Sequence, residues 1–416
     1  MNNKFRAVGA SALIIASAVL SGCATDLIGK SADLTKFEFP TGMAVHPNGK
    51  YAYVVGSNFD LDYRATDGGV LYVIDLETGS ILPSSKKMGS FGTNIVLSSD
   101  ARRGYTVTRD DDALVWFEIS EDGSTISCPE SPDSDTLLAC RVIVDDDPTH
   151  VAITRSYRDK VTYLPDGQSV TERIEFDLLM IAQLRNARVT AMTVRDGADG
   201  KPEFSHQMGS FIYGASEVLW IGGERFIVTG RSASNLLVMS PALNADGGVE
   251  GLYARQAMSV PNAFGAYEGR GMALDPLGKD FFLINQYPNT LLKFDISGLA
   301  QGDNATDEAH VTQMMTLPSD MSKVAWVGNA SEGLLYLTSV VDDMIYIVDP
   351  RTMEMVNTVP TGDGPYEMTI VDHTMYLINF LEESIQAFDV STPLEPVLQS
   401  VIIANVENDD ENKDAE

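Results

Sequence analysis

The 416-residue sequence has only three cysteines and five histidines. It is also poor in positive charge, with 29 Lys plus Arg against 59 Asp plus Glu, a net charge of −30. That shortage excludes a surface built to hold nucleic-acid phosphates, and it disfavours anionic headgroups. Five widely spaced histidines are too few to make a His-built zinc or iron centre a natural reading. After the first two dozen residues no apolar run is long enough to span a bilayer as a helix. The nucleophile elbow G-x-S-x-G is missing: Gly209-Ser210 and Gly230-Arg231-Ser232 lack its spacing, and no glycine-rich phosphate loop is present. Apolar residues are not scarce. At 44% hydrophobic and 21% charged, the chain is too apolar to be disordered. It exceeds one ordinary compact domain, so it holds either several domains or one large repeat architecture.

Residues 1–22 read as an address. Lys4 and Arg6 form a basic start, and Ala7 to Val19 is an apolar stretch of the size of a signal-peptide core. The stretch ends in Leu20-Ser21-Gly22-Cys23, which resembles the lipobox of bacterial lipoproteins. The resemblance implies cleavage before Cys23 and acylation of its thiol and its new amine; the alternative is an ordinary secretory peptide with a chance cysteine. Acyl chains contribute about 0.8 kcal/mol per buried CH₂, so several of them make an essentially permanent anchor. Ala24 rather than Asp after Cys23 is similar to lipoproteins sorted to the outer membrane. Loss of residues 1–22 removes two cations and no acid, which leaves the mature chain more acidic still.

The body of the chain repeats. Thr41 to Val45, a tight Asn48-Gly49 turn, Tyr51 to Val55 and Gly69 to Asp75 read as three strands, with Glu77-Thr78-Gly79 turning into a fourth. The same order returns from Thr93, from Val218, from Gly271, from Val324 and from Met368. The third copy is less regular. Thr149 to Thr154 opens it, Leu179 to Leu184 reads as its third strand, and Ser156–Asp177 reads as an insertion. Third-strand landmarks fall at Asp75, Glu118, Gln183, Ser240, Asp295, Asp349 and Asp389. Seven units of four short strands predict an all-β, seven-bladed β-propeller of four-stranded antiparallel blades. One twisted sheet cannot bury both faces alone, whereas radial stacking buries both faces of every blade. Glu395 to Ile403 can supply the outer strand of the last blade, and Lys36 to Phe39 can pair there as well.

Pro47-Asn48-Gly49-Lys50-Tyr51 followed by Leu71 to Gly79 resembles the YVTN type of seven-bladed propeller, as does Gly364-Pro365-Tyr366-Glu367-Met368 followed by Ser384 to Val390. The lactonase-like propellers, 6-phosphogluconolactonase among them, share this repeat. The resemblance covers about residues 36–403. It is specific for fold and weak for function, since propellers host binding, scaffolding and catalysis alike. The expected organisation is a cleaved signal peptide (1–22), a lipid-anchored tether (23–35), the propeller (36–403) and an acidic disordered tail (404–416).

Inner strands of a propeller start at one rim of the central channel. The residues opening each copy therefore crowd one mouth: Asn94, His150, Glu217, Arg270, Lys323 and Glu367. Such a set can bind a polar or anionic small molecule, or it can simply solvate the rim and satisfy loop backbones. Lactonase-like propellers also gather Glu, His and Arg around the channel, and that resemblance is one of position class only. Cys128 and Cys140 flank a turn-rich segment, and export favours a disulfide over two buried thiols. Closing a loop of that size contributes about 3 kcal/mol in the chain-entropy description. Acidic clusters occur at Asn58–Asp62 with Asp67, at Asp110–Asp112 and at Asp145–Asp147. None completes a twelve-residue calcium loop, so no cofactor is expected and a structural calcium ion is left open. Tyr157, Tyr213, Tyr267 and Tyr287 fall in loops or near strand ends, where aromatics can recognise a partner.

Two functions follow. The first is a monomeric, lipid-anchored outer-membrane propeller that binds or scaffolds a protein, glycan or small-molecule partner through variable top loops such as 57–68 and 156–177. The second is a lactonase-like hydrolase that uses the mouth carboxylates and His150. The absence of a complete catalytic motif favours the first.

Overall fold

The computed structural model describes residues 33–57, 68–198, 200–231, 233, 235–260, 268–286, 288–299 and 309–403. The signal segment, Cys23, the acidic stretch at 58–62 with Asp67, Tyr267, Tyr287 and the tail from 404 lie outside the described residues. No α-helix occurs among the described residues, and none is long and apolar enough to cross a membrane.

The chain forms seven antiparallel sheets in sequence order, the blades of a seven-bladed β-propeller. Blade 1 runs through Pro40–Val45, Tyr51–Gly56 and Gly69–Asp75, and its outer position is shared by Ser80–Ile81 and Lys86–Met88. Blade 2 has Gly92–Leu97, Arg103–Thr108 and Ala113–Ile119, with Ile126–Ser127 and Arg141–Ile143 sharing the outer position. Blade 3 has Pro148–Tyr163, Ser169–Gln183, Arg188–Asp196 and Pro202–Ser210. Blade 4 has Ala215–Gly222, Arg225–Gly230, Asn235–Leu243 and Val249–Ser259. Blade 5 has Gly269–Leu274, Asp280–Gln286, Asn289–Asp295 and His310–Thr316. Blade 6 has Lys323–Val327, Leu334–Ser339, Met344–Asp349 and Glu354–Pro360. Blade 7 has Pro365–Val371, Thr374–Asn379, Ser384–Asp389 and Val397–Ile403.

Burial follows position in the blade. Leu334–Ser339, a second strand, is buried along its whole length, because neighbouring blades cover both its faces. The outer strand His310–Thr316 alternates between exposed and partly buried residues, as a strand with one face in water should. The turns obey local chemistry. Between the first two strands of blade 1, the Gly49 amide bonds the His46 carbonyl at 2.8 Å, Asn48 accepts from the Lys50 amide at 3.0 Å, and Gly49 takes φ +71°.

The core is a ring of clusters, each shared between neighbouring blades. The cluster that closes the ring joins Val54, Tyr72 and Ile74 of blade 1 to Ile378, Ile385 and Ile402 of blade 7. The Thr369 hydroxyl donates to the Met43 carbonyl at 3.0 Å across the same seam. Among the described residues no strand is exchanged there: Val397–Ile403 pairs with Ser384–Asp389 inside blade 7. Lys36 to Phe39, expected as a possible pairing strand, forms none. Phe37 instead is fully buried in the closing cluster, with its ring 5.3 Å from that of Tyr72. An aromatic plug achieves by apolar burial what a ladder would achieve by hydrogen bonds.

Blade 3 differs from the sequence expectation. Leu179 to Gln183 belongs to the second strand, so the Gln183 landmark is misplaced; Arg188–Asp196 is the third. Ser156–Asp177 is no separate insertion. It continues the first two strands in one unbroken ladder from Val151↔Ile181 to Tyr163↔Ser169. From Ser169 to Glu175 every residue is exposed except the partly buried Ile174, so Val170 and Ile174 alone mark an apolar face, which hides a strand that extends beyond the body.

Cys128 and Cys140 are disulfide-bonded with Cα atoms 5.7 Å apart, and both are buried. The closed excursion docks on blade 1, where Lys87 receives from the Leu137 amide and donates to the Asp135 carbonyl, both at 2.8 Å.

Candidate functional site at the channel mouth

The start of every inner strand lines one cavity of about 620 Å³, which opens at one end of the channel. Thr41, Asn94, His150, Glu217, Arg270, Lys323 and Glu367 represent the seven blades in turn. Six of the seven inner strands shift register at this point, between Pro40 and Gly42, Gly92 and Ile95, Pro148 and His150, Ala215 and Glu217, Arg270 and Met272, and Pro365 and Glu367. A bulge inserts one extra residue, bends the strand and re-aims its side chains. Repeated around the ring, it turns the strand starts toward the axis.

Small hydroxyls at these bulges stitch the blades. Thr41 donates to the Gly92 carbonyl at 2.9 Å, and Thr149 donates to the Ser216 carbonyl at 3.0 Å. Ser216 in turn reaches the Gly269 carbonyl at 3.4 Å. Asn94 serves the same end. Its amide donates to the Val151 carbonyl at 2.7 Å and accepts from the Val151 amide at 3.0 Å, so it fixes blade 2 to blade 3 and has little left for a ligand.

Lys323, Glu217 and Glu367 come together. The Lys323 Nζ lies 3.2 Å from Glu217 Oε1 and 3.5 Å from Glu367 Oε2. The three side chains are 13–18% exposed, enough to meet the cavity and too little to be hydrated freely. Burial opposes the charge on Lys323, but the two carboxylates outweigh it and hold the ammonium protonated. The carboxylates themselves diverge. Burial pushes Glu217 upward, yet Lys323, the neighbouring His150 and the Gly271 amide bring it below its ordinary value. Burial dominates at Glu367 and raises it despite Lys323, with the Glu217 charge adding to the rise. His150 is drawn into the same field. Burial, with Lys323 nearby, pushes its imidazole down to about 4, and the Val218 amide faces its Nδ1 at 3.5 Å. A neutral ring with its proton on Nε2 suits that arrangement.

Arg270 does not join this group. Its Nε and Nη2 bind Glu268 Oε1 at 3.0 and 2.9 Å, and Arg231 Nε lies 3.2 Å from the same oxygen. Gln286, with its amide oriented to satisfy both neighbours, donates to Glu268 Oε2 at 3.2 Å and accepts from Arg270 at 3.1 Å. Arg109 also lines the cavity, paired with Asp147 through Nε at 2.5 Å and seated over the Phe91 ring at 4.2 Å. Sequence reasoning missed Glu268, Arg231, Gln286 and Arg109. They sit just before inner strands or at the far ends of second strands, places that the strand-start rule does not reach.

The acidic clusters within the described residues are engaged by protein groups. Asp145 is paired with Arg188, Asp146 with Arg185 and Asp147 with Arg109, while Asp112 accepts from the Asp147 amide. Asp111 accepts from the Ser90 amide at 2.8 Å. Among the described residues no three His, Cys, Asp or Glu side chains assemble as a metal-ligand group.

No family model matches the chain, and no curated protein matches it. Solved structures do. A putative 6-phosphogluconolactonase from Bacteroides fragilis aligns with a TM-score of 0.54 at 15% identity, over 88% of this chain and 97% of that one. The periplasmic gluconolactonase of Pseudomonas aeruginosa aligns with a TM-score of 0.52 at 13% identity, over 80% and 88%. Hydrazine synthase from Kuenenia stuttgartiensis aligns equally well, with a TM-score of 0.54 at 11% identity over 88% and 99%. At such identities the likeness is one of fold. Neighbours of such different chemistry leave the function to be argued from the site.

Proposed function

We propose that the channel mouth is a binding site for a small polar molecule. The observation that carries this reading is Lys323 held between Glu217 and Glu367 on the wall of an open cavity to which all seven blades contribute a residue. Charged groups removed from water cost several kcal/mol each unless compensated, so a partly dehydrated trio facing a cavity is an expensive way merely to solvate a rim. Hydroxyl-rich ligands suit the wall, which mixes these charges with Thr, Ser, Asn and Gln. Titration calorimetry of the purified propeller against sugar acids, sugar lactones and neutral sugars tests the reading. Saturable binding lost in Lys323→Met supports it; heats indifferent to that substitution across the set refute it.

A second reading, lactone hydrolysis, is favoured by the opposite displacement of the two carboxylates. Water adds to the ester carbonyl, the ring C–O bond breaks, and the alkoxide leaves with a proton. Glu217, held ionised, suits the group that takes the water proton. Glu367, held toward its protonated form, suits the group that returns one to the ring oxygen, and Lys323 is the cation available to the developing oxyanion. The gluconolactonases among the structural neighbours add a prior for this substrate class. Ring opening followed by pH-stat, abolished in Glu217→Gln, would support it; inactivity across sugar lactones would leave binding alone.

The same proposal sets the protein at the outer membrane as a monomer anchored through Cys23. It rests on Leu20-Ser21-Gly22-Cys23 and Ala24. Intact mass of the membrane-extracted protein, compared with Cys23→Ser, tests it.

A further inference from the structure

A second concavity lies on the face opposite the mouth. The inner strand of blade 4 starts at the mouth with Ser216 and Glu217 and ends at Gly222. Its turn, Gly222-Gly223-Glu224, therefore lies at the far end. The long hairpin of blade 3 runs the same way. From Thr149 at the mouth its first strand continues to Tyr163, a reach of about 45 Å at roughly 3.3 Å per residue. The exposed part of the hairpin, residues 157–175, therefore projects from the far face. Where the hairpin passes the blade 4 turn, the two enclose a trough of about 660 Å³.

The trough reverses the character of the rest of the molecule. In a chain with 29 basic and 59 acidic residues, its lining holds Arg155, Arg158, Arg225 and Arg255 and one carboxylate, Glu224. Arg158 binds Glu224 through both Nη atoms, at 2.6 and 2.8 Å, and Arg155 binds Asp177 at 3.0 Å. Arg255 is held differently. Its Nε donates to the Ser240 hydroxyl at 2.6 Å and its guanidinium lies 5.9 Å from the Tyr253 ring. Both are neutral, so the charge and the Nη edge of the fork are not taken up by them.

Aromatic faces accompany the charge. Trp220 is 41% exposed, and its Nε1 is tied to the Gly223 carbonyl at 2.8 Å, so the indole is held in place. Tyr157 is 50% exposed, with the Arg173 guanidinium 4.1 Å from its ring centroid. A rigid indole and an arginine fork on the lining of one concavity match a ring with a C–H face and a carboxylate on its edge.

We infer that this trough binds an acidic saccharide, a uronate unit whose ring lies on Trp220 and whose carboxylate takes the fork of Arg255. The inference is independent of the mouth. It is tested with the full propeller by calorimetry against a galacturonate trimer, with maltotriose as the neutral counterpart of similar size and sulfate as a bare anion. The trimer binds saturably, maltotriose does not, and sulfate competes only weakly. Arg255→Gln and Trp220→Leu each weaken the trimer by about tenfold or more, a change of ~1.4 kcal/mol per decade. Both positions are exposed, and thermal unfolding verifies that each variant is folded. The inference falls if the trimer does not bind, if maltotriose binds as well, if sulfate displaces it at equal concentration, or if both variants bind like the parent.

Discussion

His150 offers the sharpest test of the mouth. Its imidazole, taken from 6.5 in the unfolded chain to about 4 in the folded one, makes stability depend on pH. Between those values the unfolded chain carries a proton that the folded protein refuses. Stability from this group is therefore complete above pH 6.5, falls as pH drops through that value, and levels off below about 4. The difference corresponds to about 3 kcal/mol, an upper figure because the ring borders an open cavity. Urea unfolding of the parent and of His150→Gln at intervals between pH 8 and 4 isolates the contribution, since the other titrating groups are common to both. The parent should lose up to about 3 kcal/mol more than the variant over this range. Side-chain NMR gives the direct value, and the His150 ring protons should titrate near 4. A His150 midpoint near 6.5, or parallel stability curves for the two proteins, would refute the account of the mouth as a partly dehydrated site with Lys323 beside the imidazole.

Three further outcomes follow from the same geometry. Lys323→Met leaves Glu217 and Glu367 without the cation between them; stability at pH 7 should fall by about 3 kcal/mol and recover as the pH is lowered and Glu217 takes up a proton, read by urea unfolding at both pH values. Replacing Cys128 and Cys140 together by Ala should cost about 3 kcal/mol and expose the blade 1 edge around Lys87 to faster amide exchange. Gly42→Ala brings a Cβ to within 1.9 Å of the Thr93 carbonyl oxygen, backbone that cannot step aside, so blades 1 and 2 must part at the mouth; a loss of about 2 kcal/mol or more in thermal unfolding is expected, with Gly49→Ala, whose Cβ meets open space, as a contrast that reports turn strain alone.

What could be read in the chain and what could not divide along a physical line. Strand content, blade number and the identity of the strand-opening residues are local properties. Turn signals such as Asn48-Gly49 and runs such as Leu71–Ile74 announce themselves wherever they occur, and repetition fixes their number. That logic also failed locally. The exposed run Ser169–Glu175 concealed a second strand, because a strand with almost no core to cover carries too thin an apolar face to betray it. Lys36 to Phe39 had the pattern of a strand, but the fold placed Phe37 in a cluster and formed no strand there.

The sequence by itself determined that seven similar sheets would form and that Asn94, His150, Glu217, Arg270, Lys323 and Glu367 would open six of them. Tertiary structure alone decided which of these meet. Closing the ring set Lys323 beside Glu217 and Glu367, partners 106 positions away in the first case, and spent Asn94 on Val151 and Arg270 on Glu268. The reason is that a channel mouth is made by curvature and bulges summed over the whole ring. Charge, burial and distance at its axis exist only once the last blade has packed against the first.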